Sequence, residues 1–429
     1  MNHQAHRHLS TRRRLLTGAA ALGGLALAGC ATGVASGPSI GRVVVVGGGF
    51  GGATTARYLR MWGGNVDVTL VERSTSFVSC PMSNLVIGGY KQMAEITRGY
   101  EGLKALGVKV LQGEVVAVDA AAKKIRLASG AELPYDRLVL SPGVDFMNDQ
   151  VGGLTAALDS GKAVHSWKAG PQTVALRKQL EAMPDGGVFA MSIPKAPFRC
   201  PPGPYERACM VASYLKTAKP RSKVLVLDAN PEITSKKALF ERAFSQHYQG
   251  LIEYRANAEL KEVAGNVAKF DFEDVKADVL NIIPPQRAGD IARTAGLINV
   301  NSRWVGVDWM TMEATAAPGI HVLGDATFSA PAMPKSGHMA NQHAKVAAAA
   351  IIQQLRGEPV NATPVVMNTC YSFVTAKDVI HVASVHQYDA KDKTFKPVPG
   401  SGGVSAGANQ IEGRYALSWA DNIWDDMLA

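Results

Sequence analysis

The chain alternates between unbroken apolar runs and helical periodicity. Arg42-Val43-Val44-Val45-Val46 is a continuous β-branched run, the pattern of a strand buried on both faces. Gly47-Gly48-Gly49-Phe50-Gly51-Gly52 follows; Ala53 to Trp62 then predicts a helix, and Val66 to Val71 a second strand. This is a β-α-β unit of about 30 residues. A second α/β stretch holds a strand at Lys223 to Leu227, ended by Asp228, and another at Ala277 to Ile283 before Pro284-Pro285. The chain returns with Gly319-Ile320-His321-Val322-Leu323-Gly324-Asp325, a strand ending in a Gly-Asp turn. A helix is predicted from His338 to Leu355, with Gly357 just past its end. The last stretch is mixed, with a glycine-rich loop from Gly400 to Gly407 and a Trp-bearing end.

These patterns predict an α/β protein with two Rossmann-like three-layer domains and a smaller α+β C-terminal domain. The expected segments are a leader over 1–35, a first domain split between 36–152 and 301–360, a second over 153–300, and the C-terminal unit over 361–429. A length of 429 residues suits two or three cores. Hydrophobic residues at 47% and charged residues at 19% give a globular composition.

The net charge is +9, and four of those charges are Arg7, Arg12, Arg13 and Arg14, in a leader without acidic residues. No dense basic run with interleaved aromatics occurs elsewhere, so the charge gives no reason to expect nucleic-acid binding. Thr11-Arg12-Arg13-Arg14-Leu15-Leu16 resembles the twin-arginine export signal, and the apolar stretch that follows is too short and Gly-rich for a membrane span. A plain secretory leader with an Arg run is the other reading. Leu27-Ala28-Gly29-Cys30 resembles a lipoprotein processing site that would anchor the chain through Cys30; ordinary cleavage after Gly33-Val34-Ala35 is the alternative. Both place the mature chain in an oxidising compartment, the periplasm, where disulfides persist.

Gly47-x-Gly49-x-x-Gly52 follows a strand and opens a helix, and Glu72 ends the next strand 20 residues after Gly52. The first Gly makes the turn, the second admits the pyrophosphate, and the third lets helix and strand pack closely. The acid accepts ribose hydroxyls, and the helix N-terminus faces the phosphates. Arg73 and Val116 join the expected cofactor-binding set.

Gly324-Asp325 resembles the late Gly-Asp motif of FAD enzymes of the disulfide-reductase type, where the Asp binds the ribityl chain. The segment Tyr135 to Gly143 resembles the strand and turn that precede the second domain of those enzymes, whose fold is glutathione-reductase-like. Relatives that use NAD(P)H carry a second glycine fingerprint. Here the matching segment reads Gly186-Gly187-Val188-Phe189-Ala190-Met191, then Ile193-Pro194, and no fingerprint follows. The expected cofactor is therefore FAD without a nicotinamide substrate.

Past the leader the cysteines are Cys80, Cys200, Cys209 and Cys370, with no CxxC pair, so neither a zinc site nor a thioredoxin-like motif is expected. Four segments resemble the flavoprotein subunit of flavocytochrome c sulfide dehydrogenase. They are Cys80-Pro81-Met82-Ser83-Asn84, the run from Pro197 through Cys200 to Arg207, Pro334-Lys335-Ser336-Gly337, and Asn368-Thr369-Cys370-Tyr371-Ser372. The resemblance runs from Arg42 to the C-terminus. It implies a flavin 8α-methyl bound covalently to Cys80, against a plain buried thiol. It implies a redox-active disulfide between Cys200 and Cys370, which lie 170 residues apart, against a purely structural bridge. Glu206 is then the expected general base, its other reading being a first-turn carboxylate favoured by the helix dipole. Lys335, Ser336 and Gly337 are expected at the flavin, with Lys335 and the helix that follows stabilising negative charge on its pyrimidine end. Cys209 reads as a small core residue.

The activity implied is sulfide oxidation to sulfur or polysulfide through the disulfide and FAD. No CxxCH occurs, so the haem is expected on a separate c-type cytochrome subunit. A sulfide:quinone oxidoreductase shares the fold and the chemistry, but Asp421, Asp425 and Asp426 make the C-terminal segment a poor membrane anchor. An NADH-dependent disulfide reductase and a non-catalytic flavoprotein of a sulfur-oxidation complex are the remaining alternatives.

Overall fold

The computed structural model describes residues 38–429. The expected leader over 1–35, with its arginines and Cys30, lies outside the described residues.

The β-branched run forms β1 (Gly41–Val46), buried from Val43 onward. The helix after it, α1 (Phe50–Gly63), begins three residues before the apolar pattern predicts, because the glycine turn feeds directly into the first helical turn. Parallel strands β2 (Val66–Glu72) and β4 (Arg137–Leu140) flank β1, and β3 (Lys109–Gln112) extends the sheet beyond β2.

A second, all-parallel sheet follows. It comprises β5 (Ala163–Val164), β6 (Val188–Ile193), β7 (Lys223–Asp228), β8 (Ile252–Arg255) and β9 (Val279–Ile282), in spatial order β5-β9-β6-β7-β8. Helix α2 (Gly203–Ala218) connects β6 to β7, and α3 (Lys237–His247) connects β7 to β8. β9 is shorter than the apolar run from Ala277 predicts; Asp278 just before it already engages β6, its N–H donating to the Val188 carbonyl at 2.9 Å and its carboxylate accepting from the Val188 N–H at 2.8 Å.

The chain then returns to the first sheet through β10 (Val307–Asp308), β11 (Glu313–Ala314) and β12 (Ile320–Val322), giving seven strands in the order β10-β11-β12-β4-β1-β2-β3. Helix α4 (Gly337–Arg356) covers α1. The C-terminal unit is an antiparallel sheet of β13 (Val365–Phe373), β14 (Val379–Asp389), β15 (Thr394–Pro397) and β16 (Gly403–Val404).

Helix α5 (Gln410–Leu428) closes the chain. Its Asp426 accepts from Asn341 Nδ2 at 2.7 Å and Tyr58 Oη at 2.5 Å, and pairs with Lys345 at 2.9 Å. This carboxylate therefore fastens α5 onto α1 and α4. Among the described residues no helix is long and apolar enough to cross a membrane. The C-terminal ends of β1, β2 and β4 and the turn after β12 converge, as ligand sites of parallel sheets require.

Candidate active site

Those strand ends enclose a cavity of about 720 Å³, within the range of small-molecule and cofactor sites. Of the expected cofactor set, Gly47, Gly49, Glu72, Arg73, Cys80, Val116, Gly143, Gly324, Asp325, Lys335, Ser336 and Gly337 all line it, as do Cys200, Glu206 and Cys370. Gly52 does not, and its surroundings explain why. A Cβ there would lie 1.8 Å from the Gly47 carbonyl oxygen, so its task is close packing of α1 on β1. Gly47 has φ +97°, a conformation that favours glycine. A Cβ at Gly49 meets nothing within 4 Å, so that backbone is open to an incoming phosphate.

Glu72 accepts from the N–H groups of Gly48 at 2.6 Å and Ser74 at 2.9 Å, which fixes the carboxylate at the mouth of the glycine loop. Tyr100, which the sequence reading missed, donates its hydroxyl to the Gly48 carbonyl at 3.1 Å. Asp325 sits in a short 3-10 turn (Gly324–Ala326), and its Oδ1 is a buried acceptor without a partner among the described residues. Burial pushes its carboxyl pKa up against the opposing pull of Arg199 and Lys335. A buried orphan acceptor in a cavity wall asks for a ligand donor, and the hydroxyls of a ribityl chain provide one. The open glycine loop, Glu72 and Asp325 therefore fit FAD.

Lys335 lines the cavity beside Asp325. Its ammonium donates to the carbonyls of Asp325 (3.1 Å) and Thr327 and lies 3.8 Å from the centre of the Trp304 ring. Its charge is held by backbone and indole, and burial lowers its pKa to about 7. The helix behind it is capped by Ser336, whose Oγ accepts from the Met339 N–H at 3.0 Å and donates to Asn368 Oδ1 at 2.6 Å.

The sulfur chemistry gathers where the second sheet meets β13. Cys200 lies in the loop between β6 and α2, the place a nicotinamide-binding glycine loop occupies in a Rossmann unit. The missing second fingerprint thus has a structural counterpart: a cysteine loop fills its position. Asp228, at the end of β7, is likewise committed, to the hydroxyls of Tyr205 (2.6 Å) and Tyr254 (3.0 Å) and to Asn230. Cys200 has φ +55° and donates its N–H to the Lys335 carbonyl at 2.7 Å.

Cys370 lies on β13, within reach of Asn368 Nδ2 at 3.4 Å. The structure holds all four described cysteines as free thiols, with Cys200 exposed, Cys80 and Cys370 half-buried, and Cys209 buried. Cys200 faces the cavity space, but protein surrounds that space, so burial pushes its thiol well up, and Cys370 and Glu206 push it further. Burial raises the Cys370 thiol too, with Lys236 and Asn368 opposing. Cys209, in the core of α2, is the small packing residue expected.

Glu206 stands in the first turn of α2 but is not a solvated helix-end carboxylate. One oxygen accepts from Asn84 Nδ2 and the other from the Phe373 N–H, both at 2.9 Å. Burial raises its pKa, opposed by those two bonds, Lys236 and Arg207. The carboxyl is thereby held against the cysteine loop with its charge partly suppressed, the condition of a proton acceptor.

The sequence reading also missed three cations, of which Arg207 and Lys236 are buried and Arg199 half-buried. Arg199 Nη2 lies 3.0 Å from Cys80 Sγ, which also accepts from the Ala169 N–H at 3.4 Å. Arg207 is 2% exposed and bonds Asn84, Asn281 and the carbonyls of His165 and Ser166. Lys236 donates to the Cys370 carbonyl at 3.0 Å. Arg199 and Arg207 lie inside the diagnostic run around Cys200, and that adjacency was the available signal. Lys236 carried none.

Comparisons with known proteins bear on the family and the fold. Residues 173–284 match the family model "Sulfide dehydrogenase [flavocytochrome c] flavoprotein chain, central", 362–428 match "Flavocytochrome c sulphide dehydrogenase, flavin-binding", and 41–176 match "Pyridine nucleotide-disulphide oxidoreductase". A sulfide dehydrogenase [flavocytochrome c] flavoprotein chain from Chlorobaculum thiosulfatiphilum is 67% identical over 45 residues, which is 10% of this chain and 94% of that sequence. The mitochondrial sulfide:quinone oxidoreductase of Mus musculus is 26% identical over 303 residues, 67% of this chain and 65% of the mouse protein. The sulfide:quinone oxidoreductase structure from Aquifex aeolicus superposes with a TM-score of 0.73 at 19% identity, covering 90% of this chain and 91% of that one, a likeness of fold. The chain belongs to the family of flavocytochrome c sulfide dehydrogenase flavoprotein subunits.

Proposed function

We propose that this chain is the FAD-dependent flavoprotein subunit of a sulfide dehydrogenase and passes electrons to a c-type cytochrome. The observation that carries the reading is the convergence of Cys200, Cys370 and Glu206 on the cavity that also holds the glycine loop, Glu72 and the orphan Asp325 carboxylate. In this reading Cys200 and Cys370 form a disulfide. Hydrosulfide attacks one sulfur by thiol–disulfide exchange, which leaves a persulfide there and a thiolate on the other. Glu206 takes the proton. FAD, when bound, supplies the acceptor for the released electron pair and hands electrons on singly. Arg199 and Arg207 offset the negative charge that anionic sulfur brings into the site.

Cys80 is the proposed point of covalent flavin attachment; it lines the same cavity, with the Arg199 guanidinium 3.0 Å from its sulfur. The haem belongs, in this proposal, to a partner polypeptide, because the chain has no CxxCH. The twin-arginine leader supports function in the periplasm; lipidation at Cys30 would add an anchor.

The test is anaerobic mixing of purified protein with sulfide, followed at the flavin absorbance, with cytochrome c and a soluble quinone offered in parallel. Flavin bleaching with cytochrome reduction supports the proposal. Turnover with quinone alone would move the chain to sulfide:quinone oxidoreduction, and an oxidised flavin in the presence of sulfide would leave only a relay.

A further inference from the structure

Lys236 is a buried cation held by neutral groups. It is 8% exposed and takes a left-handed backbone conformation, φ +55°, just before α3, a strained choice for a side-chain-bearing residue. Its ammonium donates to the Cys370 carbonyl at 3.0 Å and to the fully buried Ser372 Oγ at 2.7 Å. Phe240 of its own helix presents a ring 5.7 Å away. The ionisable groups around it are Cys370 on β13, Glu206 on α2, Cys200 in the loop before α2 and Glu412 on α5. Both carboxylates are committed elsewhere. Glu206 is bonded to Asn84 and Phe373, and Glu412 to His381, Ser405 and Asn409.

A buried ammonium with only neutral partners is costly. The remaining groups that can supply its counter-charge are the two thiols. Joined as a disulfide they carry no charge; opened, one of them becomes a thiolate. The ammonium therefore favours the open pair over the closed one.

We infer that Lys236 is a positioning residue that stabilises Cys370 as the thiolate released when the Cys200–Cys370 disulfide opens, raising the pair's reduction potential and directing sulfide to Cys200. The inference rests on the disulfide reading above. In the step it describes, hydrosulfide forms a bond to Cys200 Sγ and the Cys200–Cys370 bond breaks. The bonding pair leaves on Cys370 and the hydrosulfide proton passes to Glu206. The disulfide is the oxidant, and the incoming sulfur is oxidised to the persulfide level. The exposure of Cys200 to the cavity, against the half-buried Cys370, agrees with this choice of attacked sulfur. Burial lowers the Lys236 pKa to about 8, with Cys370 the largest of the opposing influences.

The test uses the flavin-loaded full chain, equilibrated in dithiol redox buffers, alkylated and read by mass spectrometry at Cys200 and Cys370. In Lys236→Gln the dithiol–disulfide equilibrium is expected to move about tenfold toward the disulfide, ~30 mV for a two-electron couple. Alkylation of the reduced Cys370 is expected to move to higher pH, and Lys236→Arg to stay near wild type in both readouts. Ser372→Ala, which removes one of the ammonium's two hydrogen bonds to β13 while keeping the charge, gives a smaller shift in the same direction and serves if Lys236→Gln does not fold. A folded Lys236→Gln, or in its place Ser372→Ala, with unchanged potential and alkylation profile overturns the inference alone. A wild-type pair that stays as two thiols at every potential overturns the disulfide reading and this inference with it.

Discussion

Arg199 holds Cys80: its Nη2 lies 3.0 Å from the Cys80 sulfur, and the next residue in the chain is Cys200. One short loop thus joins the proposed flavin attachment point to the proposed redox pair. Burial works against the Arg199 charge, but Cys80, Asp325 and Cys200 outweigh it and keep its pKa raised. Cys80→Ser is expected to retain FAD that acid precipitation releases, whereas the wild type keeps it on the protein. In Arg199→Met, alkylation of Cys80 in the flavin-free protein is expected to slow by roughly tenfold, because the reacting sulfur loses the cation 3.0 Å away. Denaturing-gel fluorescence and alkylation kinetics read the two effects separately.

Glu206→Gln is nearly isosteric and keeps a hydrogen-bond acceptor for Asn84 or Phe373, but it cannot take a proton. Sulfide-dependent flavin reduction is expected to fall by about 10²- to 10⁴-fold. Because burial raises the Glu206 pKa, the basic form appears only above that raised value. The wild-type rate therefore climbs with pH through it, and the limb is absent in the variant. Stopped-flow rates across pH check both points.

The glycine loop gives a contrast between neighbours. Gly52→Ala drives a Cβ to 1.8 Å from a backbone oxygen, so α1 must leave β1; a loss on the order of 3 kcal/mol or more is expected, with little folded protein. Gly49→Ala meets nothing within 4 Å and should fold normally while binding FAD more weakly. Thermal melts together with flavin content separate the two.

Asp325→Ala removes the orphan acceptor without disturbing any protein hydrogen bond to Oδ1. Loss of one charged hydrogen bond is worth about 1.5–3 kcal/mol, so FAD affinity, measured by titration in the Cys80→Ser background, is expected to fall about 10- to 150-fold.

Buried His321 and His343 and half-buried His165 are expected to weaken the fold in acid. Burial is the leading cause for each, lowering His165 and His343 to about 3 and His321 to about 4. Their folded values lie below the ordinary 6.5, so the unfolded chain binds more protons. The stabilisation is complete above pH 6.5 and is lost as pH falls toward 4. The slope of unfolding free energy there is expected to approach 4 kcal/mol per pH unit, three protons at ~1.36 kcal/mol each. Denaturant melts between pH 7 and 4.5 measure it.

The first Rossmann unit was legible because its local demands are strict. A strand buried on both faces writes Val43 to Val46, and a turn with no room for a Cβ writes Gly47 and Gly52. Asp325 was legible through its place after an apolar strand. The sulfur site was harder, since Cys200 and Cys370 come from a loop and a strand that only the tertiary fold brings to one cavity. Lys236 left no trace in the sequence. Its neighbours Ser235 and Lys237 look like an ordinary polar turn, and its role comes from β13 packing against the N-terminus of α3. At Lys335 the charge could be read from the sequence, but the partners of its ammonium, backbone carbonyls and Trp304, could not.

The most direct measurement is a single anaerobic turnover with sulfide, comparing wild type, Cys200→Ser and Cys370→Ser by flavin absorbance. Rapid flavin reduction in the wild type, lost in both variants although their FAD content is unchanged, is the expected result. Flavin reduction at the wild-type rate in either variant would contradict electron entry through the cysteine pair.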